Sequence, residues 1–367
     1  MPEYIHQLSK WPDFTWNHED LLTVLSAIRH KQGRLKGCME VLGFALRNET
    51  TLQTLTLDVL KSTEIEGEIL NPDQVRSSIA RRLGMDIAGL VPADRNVDGV
   101  VEMMLDATQN YNQALTKKRL FAWHAALFPT GRSGMHKITV GAWRDHKKGP
   151  MQVVSGAMGK ERIHYEAPDA GRLEKEMKLF LKWLNTNHST DAVLKSAIAH
   201  FWFVTIHPFD DGNGRIARAI ADMQLAMADG DHQRFYSMSA QIRIERKAYY
   251  ELLEKTQKGS LDITEWLLWF LKCLDNALNA TDEVLKRVLT KTRFWDKHAE
   301  TAINERQRLL INKLFDGFDG KLNSSKWAKI AKCSADTALR DIQDLMNKGI
   351  FEKETAGGRS TSYVLKT

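Results

Sequence analysis

The feature that most restricts the fold is a short polar interruption between two strongly helical stretches, in residues 205–220, TIHPFDDGNGRIARAI. Asp211, Gly212, Asn213 and Gly214 are poor helix formers, so a tight loop must connect one helix to the next. Backbone amides at the exit of such a loop lack helical partners and form a seat for an anion, and glycines let a phosphate approach closely. The sequence therefore predicts a helix–loop–helix with a phosphate site.

Four side chains of this segment suit a transfer reaction at phosphorus. Arg215 and Arg218 lie three residues apart at the start of the second helix and can both bind the distal phosphates of a nucleotide. Asp211 is a hard oxygen ligand for a magnesium ion that keeps its waters and bridges phosphates. His207, with an unperturbed pKa of about 6.5, can accept a proton at neutral pH. Together they indicate transfer of a phosphorus group onto a hydroxyl.

The conjunction of these residues carries the argument, because each of them alone is usually structural. A histidine before a proline is commonly a core residue, and arginines on a helix are commonly solvated. With residue frequencies of about one in twenty, so many matching positions between His207 and Arg218 do not recur by accident. The segment is therefore interpreted as a functional site.

The rest of the chain predicts a mainly α fold. Its 367 residues are 43% hydrophobic and 27% charged, which suits a globular protein with two or three cores. Helical periodicity dominates, apart from residues 139–168, where β-prone pieces at 151–155 and 162–165 surround Gly156 and Gly159. This stretch predicts a small β-hairpin, with a surface turn that binds no ligand as the alternative.

Other helices follow from periodicity at both ends of the chain. Residues 18–46 predict one long amphipathic helix, and residues 50–70 predict a second that stops before Pro72. After about residue 300, three helical segments precede a glycine-tipped two-strand turn, which is the element order of a winged helix-turn-helix.

Composition excludes several classes of protein. Cys38, Cys273 and Cys333 are far apart and share no metal-ligand spacing, so neither a disulfide framework nor a zinc site is expected, and a reducing cytoplasm fits. The N-terminal sequence lacks a signal-peptide pattern, and no window is long enough for a membrane span, so we expect a cytoplasmic protein without a membrane partner. Of the net charge of +6, an excess of four positive charges falls between Lys321 and the C-terminal end.

HPFDDGNGR followed by IAR resembles the signature of the Fic family, His-Pro-Phe-x-Asp/Glu-Gly-Asn-Gly-Arg-x-x-Arg, at every specified position. The resemblance covers roughly residues 50–280. It implies a Fic-type helical core and adenylyl transfer from Mg-ATP to a Ser, Thr or Tyr hydroxyl of a target protein or of the chain itself. Relatives that phosphorylate carry Lys in place of Gly214, so this chain resembles the adenylylating members.

The resemblance also implies roles for individual residues. His207 would be the base, Phe209 would anchor the loop in the core, and Asp211 would hold magnesium. Gly212, Asn213 and Gly214 would form the anion hole, while Arg215 and Arg218 would bind the distal phosphates of ATP. Residues 139–168 match the position of the family's flap, to which a target segment adds as a strand. The ATP-binding residues implied further along the chain are Val154, Ser155 and Gly156 in the flap, and Tyr250 and Gln257, which with Tyr249 match positions bordering the adenine.

A second segment, STEIEGEIL, resembles the inhibitory-helix motif of Fic proteins, [Ser/Thr]-x-x-x-Glu-[Gly/Asn], with Ser62, Glu66 and Gly67 at its fixed positions. Alone, so short a pattern would indicate only a solvated helix face. Preceding a Fic signature, it implies an inhibitory helix at about residues 52–70, in which Glu66 pairs with Arg218 and occupies the space of the γ-phosphate. We expect low basal activity that Glu66→Gly raises strongly.

These expectations define three regions: an N-terminal helical region at 1–110, a Fic core at 111–290 with the motif at 207–218, and a winged-helix-like domain at 300–367. Similar proteins often form homodimers that tune the inhibition. In the last region, the predicted recognition helix carries Asp336, Asp341 and Asp344 beside Arg340, and these acids would repel phosphate. A nucleic-acid partner and a protein partner therefore both stay open for this region.

Three alternative functions remain open on the sequence alone. Glu66 could position water for removal of AMP from a modified target, or the site could transfer a phosphoryl group. Outside the enzymes, the chain could be a DNA-binding regulator whose Fic core only senses nucleotide.

Overall fold

Helices make up most of the structure, a computed structural model that describes residues 3–41, 44–85, 90–147, 149–156, 160–186, 189–315, 320–354 and 361–366. The predicted mainly α fold is confirmed. The chain divides into two units, residues 1–279 and 280–367. This division falls inside a long helix, and the three regions expected from the sequence stay predictions. No helix in the described parts of the chain is long and apolar enough to cross a membrane.

The helices of the first unit are, in chain order, α1 (His18–Val41), α2 (Phe44–Ile65), α3 (Pro72–Arg82), α4 (Arg95–Gln109), α5 (Lys117–Leu127), α6 (Leu173–Asn185), α7 (Ala192–Ile206), α8 (Asn213–Asp229), α9 (Met238–Ile244) and α10 (Arg246–Gln257). Helix α11 (Thr264–Lys297) begins in the first unit and ends in the second. Two antiparallel pairs of strands interrupt the helices: β1 (Arg132–Ser133) with β2 (His136–Lys137), and β3 (Gln152–Ser155) with β4 (Arg162–Glu166). The second pair is the hairpin predicted within residues 139–168.

Helix α7 forms the centre of the first unit because it is apolar on nearly every side. Its residues from Val193 to Ile206 are all buried. The side chain of Asp191 caps its first turn by accepting a hydrogen bond from the Val193 amide. The Ser196 hydroxyl donates to the Ala221 carbonyl of α8 at 2.9 Å, which joins the two helices on either side of the polar loop.

Helix α2 ends earlier than the sequence indicated. The inhibitory helix was expected to extend to about residue 70, but α2 stops at Ile65 and Glu66 lies in the turn that follows. The Gly67 amide donates to the Glu64 carbonyl at 3.0 Å and the Glu68 amide donates to the Thr63 carbonyl at 3.3 Å, which is a Schellman motif. Its penultimate position requires a left-handed residue, and Gly67 supplies it with φ of 89°.

The first two helices also divide differently from the expectation. One helix was predicted over residues 18–46 and another from residue 50, whereas α2 already begins at Phe44. Residues 42–43, where the break falls, lie outside the described part of the chain. Helix α3 begins at Pro72, and the Asn71 side chain caps it by accepting from the amides of Asp73 and Gln74.

A buried group of charges ties α2 to α8. Arg234 Nη1 lies 2.5 Å from Asp222 Oδ1 of α8, and Arg234 Nη2 lies 3.7 Å from Asp58 Oδ2 of α2. Asp58 also accepts a hydrogen bond from the Ser237 hydroxyl at 2.5 Å. All three charged side chains are almost completely buried, so the pairing fixes the position of α2 relative to α8.

The second unit contains α12 (Glu305–Phe315), α13 (Ser324–Ala331), α14 (Ala335–Asn347) and the antiparallel strands β5 (Phe351–Lys353) and β6 (Tyr363–Leu365). Its core includes Trp327, Ile342 and Leu345. This order of elements follows the sequence expectation, while the winged-helix assignment stays a prediction. The predicted wing, GGRST, falls almost entirely on residues 355–360, outside the described residues.

Candidate active site

The loop between α7 and α8 is held by hydrogen bonds to its carbonyl groups. Arg144 Nε donates to the His207 carbonyl at 2.8 Å, and the Arg144 amide donates to the Pro208 carbonyl at 3.0 Å. The Asn213 side chain closes the loop from within: its Nδ2 donates to the Phe209 carbonyl at 2.8 Å, and its Oδ1 accepts from the Phe209 amide at 3.0 Å. Asn213, predicted to bind ATP, therefore has only its backbone amide to offer a ligand.

His124 supports the other half of this loop. Its ring stacks on Phe209, with centroids 4.2 Å apart and planes 7° apart. His124 Nδ1 accepts a hydrogen bond from the Gly141 amide, so Nε2 carries the proton and donates to the Asp211 carbonyl at 3.2 Å. Burial lowers the pKa of His124 to about 4, in agreement with this neutral tautomer.

The predicted anion seat consists of the backbone amides of residues 213–215. The first helical hydrogen bond of α8 is donated by Ile216 to the Gly212 carbonyl at 3.0 Å, so the three preceding amides lie ahead of the helical ladder. The carbonyls of residues 207, 208, 209 and 211 are all engaged by the hydrogen bonds described above. The positive end of the α8 dipole adds to the attraction for negative charge.

His207 has the tautomer and the protonation state of a base. The residue is the left-handed C-cap of α7, with φ of 51°, and is half-buried. Its Nδ1 lies 3.2 Å from the Val204 carbonyl, which can only accept, so Nδ1 bears the proton and Nε2 carries the lone pair. Burial, opposed by the Val204 carbonyl and reinforced by the charge of Arg144, lowers the pKa of His207 to about 4. The imidazole is therefore neutral at pH 7.

Arg218 lies against the turn that follows α2. Its Nη2 donates to Glu66 Oε1 at 2.8 Å and to the Ser62 carbonyl at 2.8 Å, and its Nε donates to the Ser62 hydroxyl at 2.9 Å. The Arg218 side chain is only 2% exposed. Its Nη1 is buried and has no hydrogen-bond partner among the described residues.

Arg215 meets a second carboxylate, which sequence reasoning did not single out. Arg215 Nη1 donates to Glu68 Oε2 at 2.9 Å, and its guanidinium carbon lies 5.1 Å from the centroid of the Phe128 ring. Arg215 is buried, whereas the Glu68 side chain is 51% exposed. The feature of the sequence that could have indicated this second carboxylate is the EGE segment, in which an acid lies on each side of Gly67.

Gly214 lies where the Glu66–Arg218 ion pair meets the predicted anion seat. A Cβ atom at this position would lie 2.2 Å from Glu66 Oε1 and 3.2 Å from Arg218 Nη1. Any side chain at this position would have to displace the Glu66 carboxylate, which occupies space directly over the first turn of α8.

A cavity of about 440 Å³ opens beside the seat. The residues predicted for catalysis, inhibition or ATP binding that line it are Glu66, Val154, Ser155, His207, Gly214, Tyr250 and Gln257. The other predicted residues, Gly156, Asp211, Gly212, Asn213, Arg215 and Arg218, are not part of its wall. The structure thus brings the flap, the proposed base and the turn after α2 to one cavity.

Two tyrosines on α10 have different surroundings. Tyr249 borders the cavity but is almost completely buried, and its hydroxyl lies 2.9 Å from His200 Nε2. Tyr250 is 37% exposed and faces the cavity, with the guanidinium carbon of Arg246 5.6 Å from its ring centroid. Gln257 is buried, and its Nε2 donates to the Thr205 hydroxyl at 3.3 Å. Of the two aromatic rings, Tyr250 is the one able to stack on a bound base.

Asp211, the predicted metal ligand, faces a neighbouring cavity of about 350 Å³. Its Oδ1 accepts from the Gly212 amide at 2.6 Å, and its Oδ2 accepts a short hydrogen bond from the Ser133 hydroxyl. Within the described residues, no group of three or more His, Cys, Asp or Glu side chains could hold a metal ion. A single carboxylate fits a magnesium ion that takes its remaining ligands from phosphate and water.

The flap hairpin is tied to α10 through Glu254, another residue that the sequence did not indicate. Glu254 Oε2 lies 2.5 Å from His164 Nδ1, and Glu254 Oε1 accepts from Arg162 Nη2 at 2.9 Å. His164 Nε2 in turn lies 2.6 Å from the Ser155 hydroxyl. Burial alone would raise the pKa of Glu254, but hydrogen bonds from His164, Lys258 and Arg162 lower it to about 2.

A polar loop with a predicted anion seat lies between two packed helices and faces a β-hairpin, as expected from the resemblance to the Fic family. Residues 114–225 match the Fic/DOC family, and residues 4–85 match a domain of unknown function (DUF4172). The chain thus carries a Fic/DOC-family domain, and the resemblance inferred from HPFDDGNGR is confirmed. The inhibitory helix stays a prediction.

Known proteins agree with this assignment. "Protein adenylyltransferase Fic" of Drosophila yakuba is 25% identical over 232 residues, which are 60% of this chain and 40% of the relative. The protein of the same name from Drosophila ananassae is 32% identical over 114 residues, 30% of this chain and 21% of the relative. The match therefore spans about two fifths of the first relative's length. The crystal structure of a Fic family protein from Desulfovibrio desulfuricans G20 has the same fold, with a TM-score of 0.55, 22% identity, and coverage of 97% of this chain and 98% of that one.

Proposed function

We propose that the chain is an autoinhibited protein adenylyltransferase that moves AMP from Mg-ATP to a Ser, Thr or Tyr hydroxyl of a target protein or of itself. The observation that carries the proposal is the position of a neutral His207 on the same cavity wall as Gly214, the middle residue of the proposed anion seat. The relatives named as protein adenylyltransferases support transfer of this type.

In the proposed reaction, the target hydroxyl oxygen attacks the α-phosphorus of ATP. His207 Nε2 takes the hydroxyl proton, the bond from the α-phosphorus to the oxygen bridging to the β-phosphate breaks, and pyrophosphate leaves. The amides of residues 213–215 hold phosphate oxygens, and Arg215 and Arg218 bind the distal phosphates. Asp211 would hold magnesium, whose charge neutralises phosphate oxygens when it is bound.

The inhibitory role of Glu66 follows from competition for Arg218. A γ-phosphate and the Glu66 carboxylate would need the same guanidinium, and both are negatively charged. The carboxylate also lies within van der Waals reach of Gly214, over the first turn of α8. ATP bound beside it would hold its α-phosphorus out of line with the attacking hydroxyl, and small misplacements of this kind cost rate steeply.

The test uses ATP labelled at either the α- or the γ-phosphate, with magnesium, and three proteins: wild type, Glu66→Gly and Glu66→Gly/His207→Ala. We expect α-label to enter protein, more strongly with Glu66→Gly and not with the double variant. Glu66→Gln, which keeps the size of the side chain, separates the effect of charge from that of space. Entry of γ-label alone would instead indicate phosphoryl transfer. If neither label enters, even with cell extract as acceptor, the transfer proposal fails, and release of AMP from a modified target becomes the next assay.

A nucleic-acid partner for residues 300–367 is the second candidate, and one observation favours it. Asp341, expected to repel phosphate, is buried and paired with Arg306, with Nε and Oδ2 2.9 Å apart. Asp344 accepts from Gln307 Nε2 at 2.7 Å and also pairs with Lys348. Two of the three acids on the predicted recognition helix are thus neutralised within the unit. Binding of duplex DNA by the full chain, measured at two salt concentrations, should weaken as salt rises, and no binding at low salt would exclude this partner.

A further inference from the structure

Arg144 is bound in an unusual way for a buried arginine. The residue is only 6% exposed. Its Nε binds the His207 carbonyl, its amide binds the Pro208 carbonyl, and its Nη2 donates a short hydrogen bond to the Pro168 carbonyl. No carboxylate forms an ion pair with it among the residues that the structure describes. Its hydrogen bonds thus go to the backbone of two segments, the loop after α7 and the chain just beyond β4.

The backbone that Arg144 binds is the part that sets the direction of the His207 side chain. His207 adopts the left-handed conformation, which non-glycine residues keep only when their surroundings impose it. Pro208 has no amide proton, so the peptide between the two residues can be held only through its carbonyl. Arg144 holds that carbonyl and the next one, and so fixes the backbone on both sides of the His207–Pro208 peptide bond.

The hydrogen bond from Arg144 Nη2 to the Pro168 carbonyl links the guanidinium to the flap. Pro168 closes the segment that follows β4, whose hairpin partner β3 supplies Val154 and Ser155 to the cavity. Arg144 itself does not line that cavity but borders the two neighbouring ones, of about 310 and 350 Å³. It is therefore placed to affect the alignment of His207 with the flap from outside the cavity that His207 and the flap line.

We infer that Arg144 is a positioning residue, whose guanidinium aligns the His207 imidazole with the flap by binding the His207 and Pro168 carbonyls. The inference rests on the proposed function in so far as His207 is the base. If it is correct, loss of the Arg144 guanidinium lowers the rate of transfer at saturating ATP and leaves the affinity for ATP unchanged. A merely structural role would lower stability and ATP affinity together.

The experiment compares Arg144→Ala and Arg144→Lys in the Glu66→Gly background. Arg119→Ala is the matched control, because Arg119 is also largely buried and donates to the carbonyls of residues 106, 110 and 113, away from the site. We expect Arg144→Ala to lower kcat by about 10²-fold with KM for ATP unchanged. Arg144→Lys, which can satisfy fewer carbonyls, should lose less, and added methylguanidinium should restore part of the Arg144→Ala activity. Arg119→Ala should leave kcat and KM unaltered. An unchanged kcat, or equal losses in kcat and ATP affinity, would overturn the inference.

A second readout is independent of transfer. The imidazole Cε1–H signal of His207 can be identified in selectively labelled protein by its disappearance in His207→Gln. Arg144→Ala should shift or broaden that signal, whereas Arg119→Ala should leave it in place. If the Glu66→Gly parent transfers no label, the proposed function fails while this measurement still decides the inference. An unmoved His207 signal in Arg144→Ala would refute it.

Discussion

Glu68 Oε2 lies 2.9 Å from Arg215 Nη1, one residue beyond Gly67 and beside the pair formed by Glu66 and Arg218. The Schellman turn at Gly67 thus places the carboxylates of Glu66 and Glu68 against two arginines of α8. Under the proposed mechanism, both arginines would bind the distal phosphates of ATP, and both are already occupied by acids of the chain itself. The inhibition would therefore have a second component beyond Glu66.

We predict that Glu68→Gln raises basal adenylyl transfer, but less than Glu66→Gly does. The Glu68 side chain is half exposed, so water screens its interaction with Arg215, and the gain should be a few-fold. Initial rates of α-label transfer in wild type, Glu68→Gln, Glu66→Gly and the double variant measure this. A Glu68→Gln enzyme slower than wild type would show that this carboxylate assists the reaction.

The pH dependence of transfer should reflect the low pKa of His207. The neutral imidazole is the active form, so kcat/KM of Glu66→Gly is expected to be flat around neutral pH and to fall only as the pH drops toward about 4. Loss of the Glu66 charge, which favours the protonated imidazole, can only move this inflection lower. An inflection near 6.5, the ordinary value for histidine, would contradict the buried environment of the base.

Arg234→Met should destabilise the first unit strongly. The change leaves Asp58 and Asp222 buried without their counter-charge, which typically costs about 3–5 kcal/mol in the free energy of unfolding. Denaturant unfolding of the full chain measures the loss. The triple variant Asp58→Asn/Asp222→Asn/Arg234→Met removes all three charges and should recover part of it. If the single and triple variants were equally unstable, packing rather than charge would explain the effect.

Glu254→Gln should loosen the flap. The carboxylate accepts from both Arg162 and His164 of β4, and an amide in its place keeps only part of these bonds. Faster hydrogen exchange of the β4 amides at neutral pH, with unchanged exchange in α7, is the expected result. Glu251→Gln, on the same helix but with an exposed side chain, is the control and should leave β4 unaffected. Equal exchange in the two variants would mean that Glu254 does not restrain the hairpin.

Local sequence signals predicted the loop, the β-hairpin and the helical fold, but not the contacts that assemble them. The glycines and asparagine at 212–214 predict a loop from local conformational preference alone, independently of the tertiary contacts around it. By contrast, Arg144 binds a carbonyl 63 residues away and Glu254 binds a histidine 90 residues away, and no periodicity encodes such pairs. The end of α2 at Ile65 could have been predicted from the sequence, because a glycine such as Gly67 commonly terminates a helix. The motif around it was instead interpreted as continuous helix.

The orientation of the peptide groups between α7 and α8 has one further consequence. Because hydrogen bonds already hold most of the carbonyls there, these peptide groups cannot rotate to present an oxygen ligand to a metal ion. The electrostatic character of the loop is therefore set before anything binds, and it favours anions over cations. A bare divalent ion meets amide protons and a single carboxylate, that of Asp211, whereas a triphosphate brings both the charge and the oxygens that such an ion needs. We therefore expect the metal ion and the nucleotide to bind to the site together, as one complex.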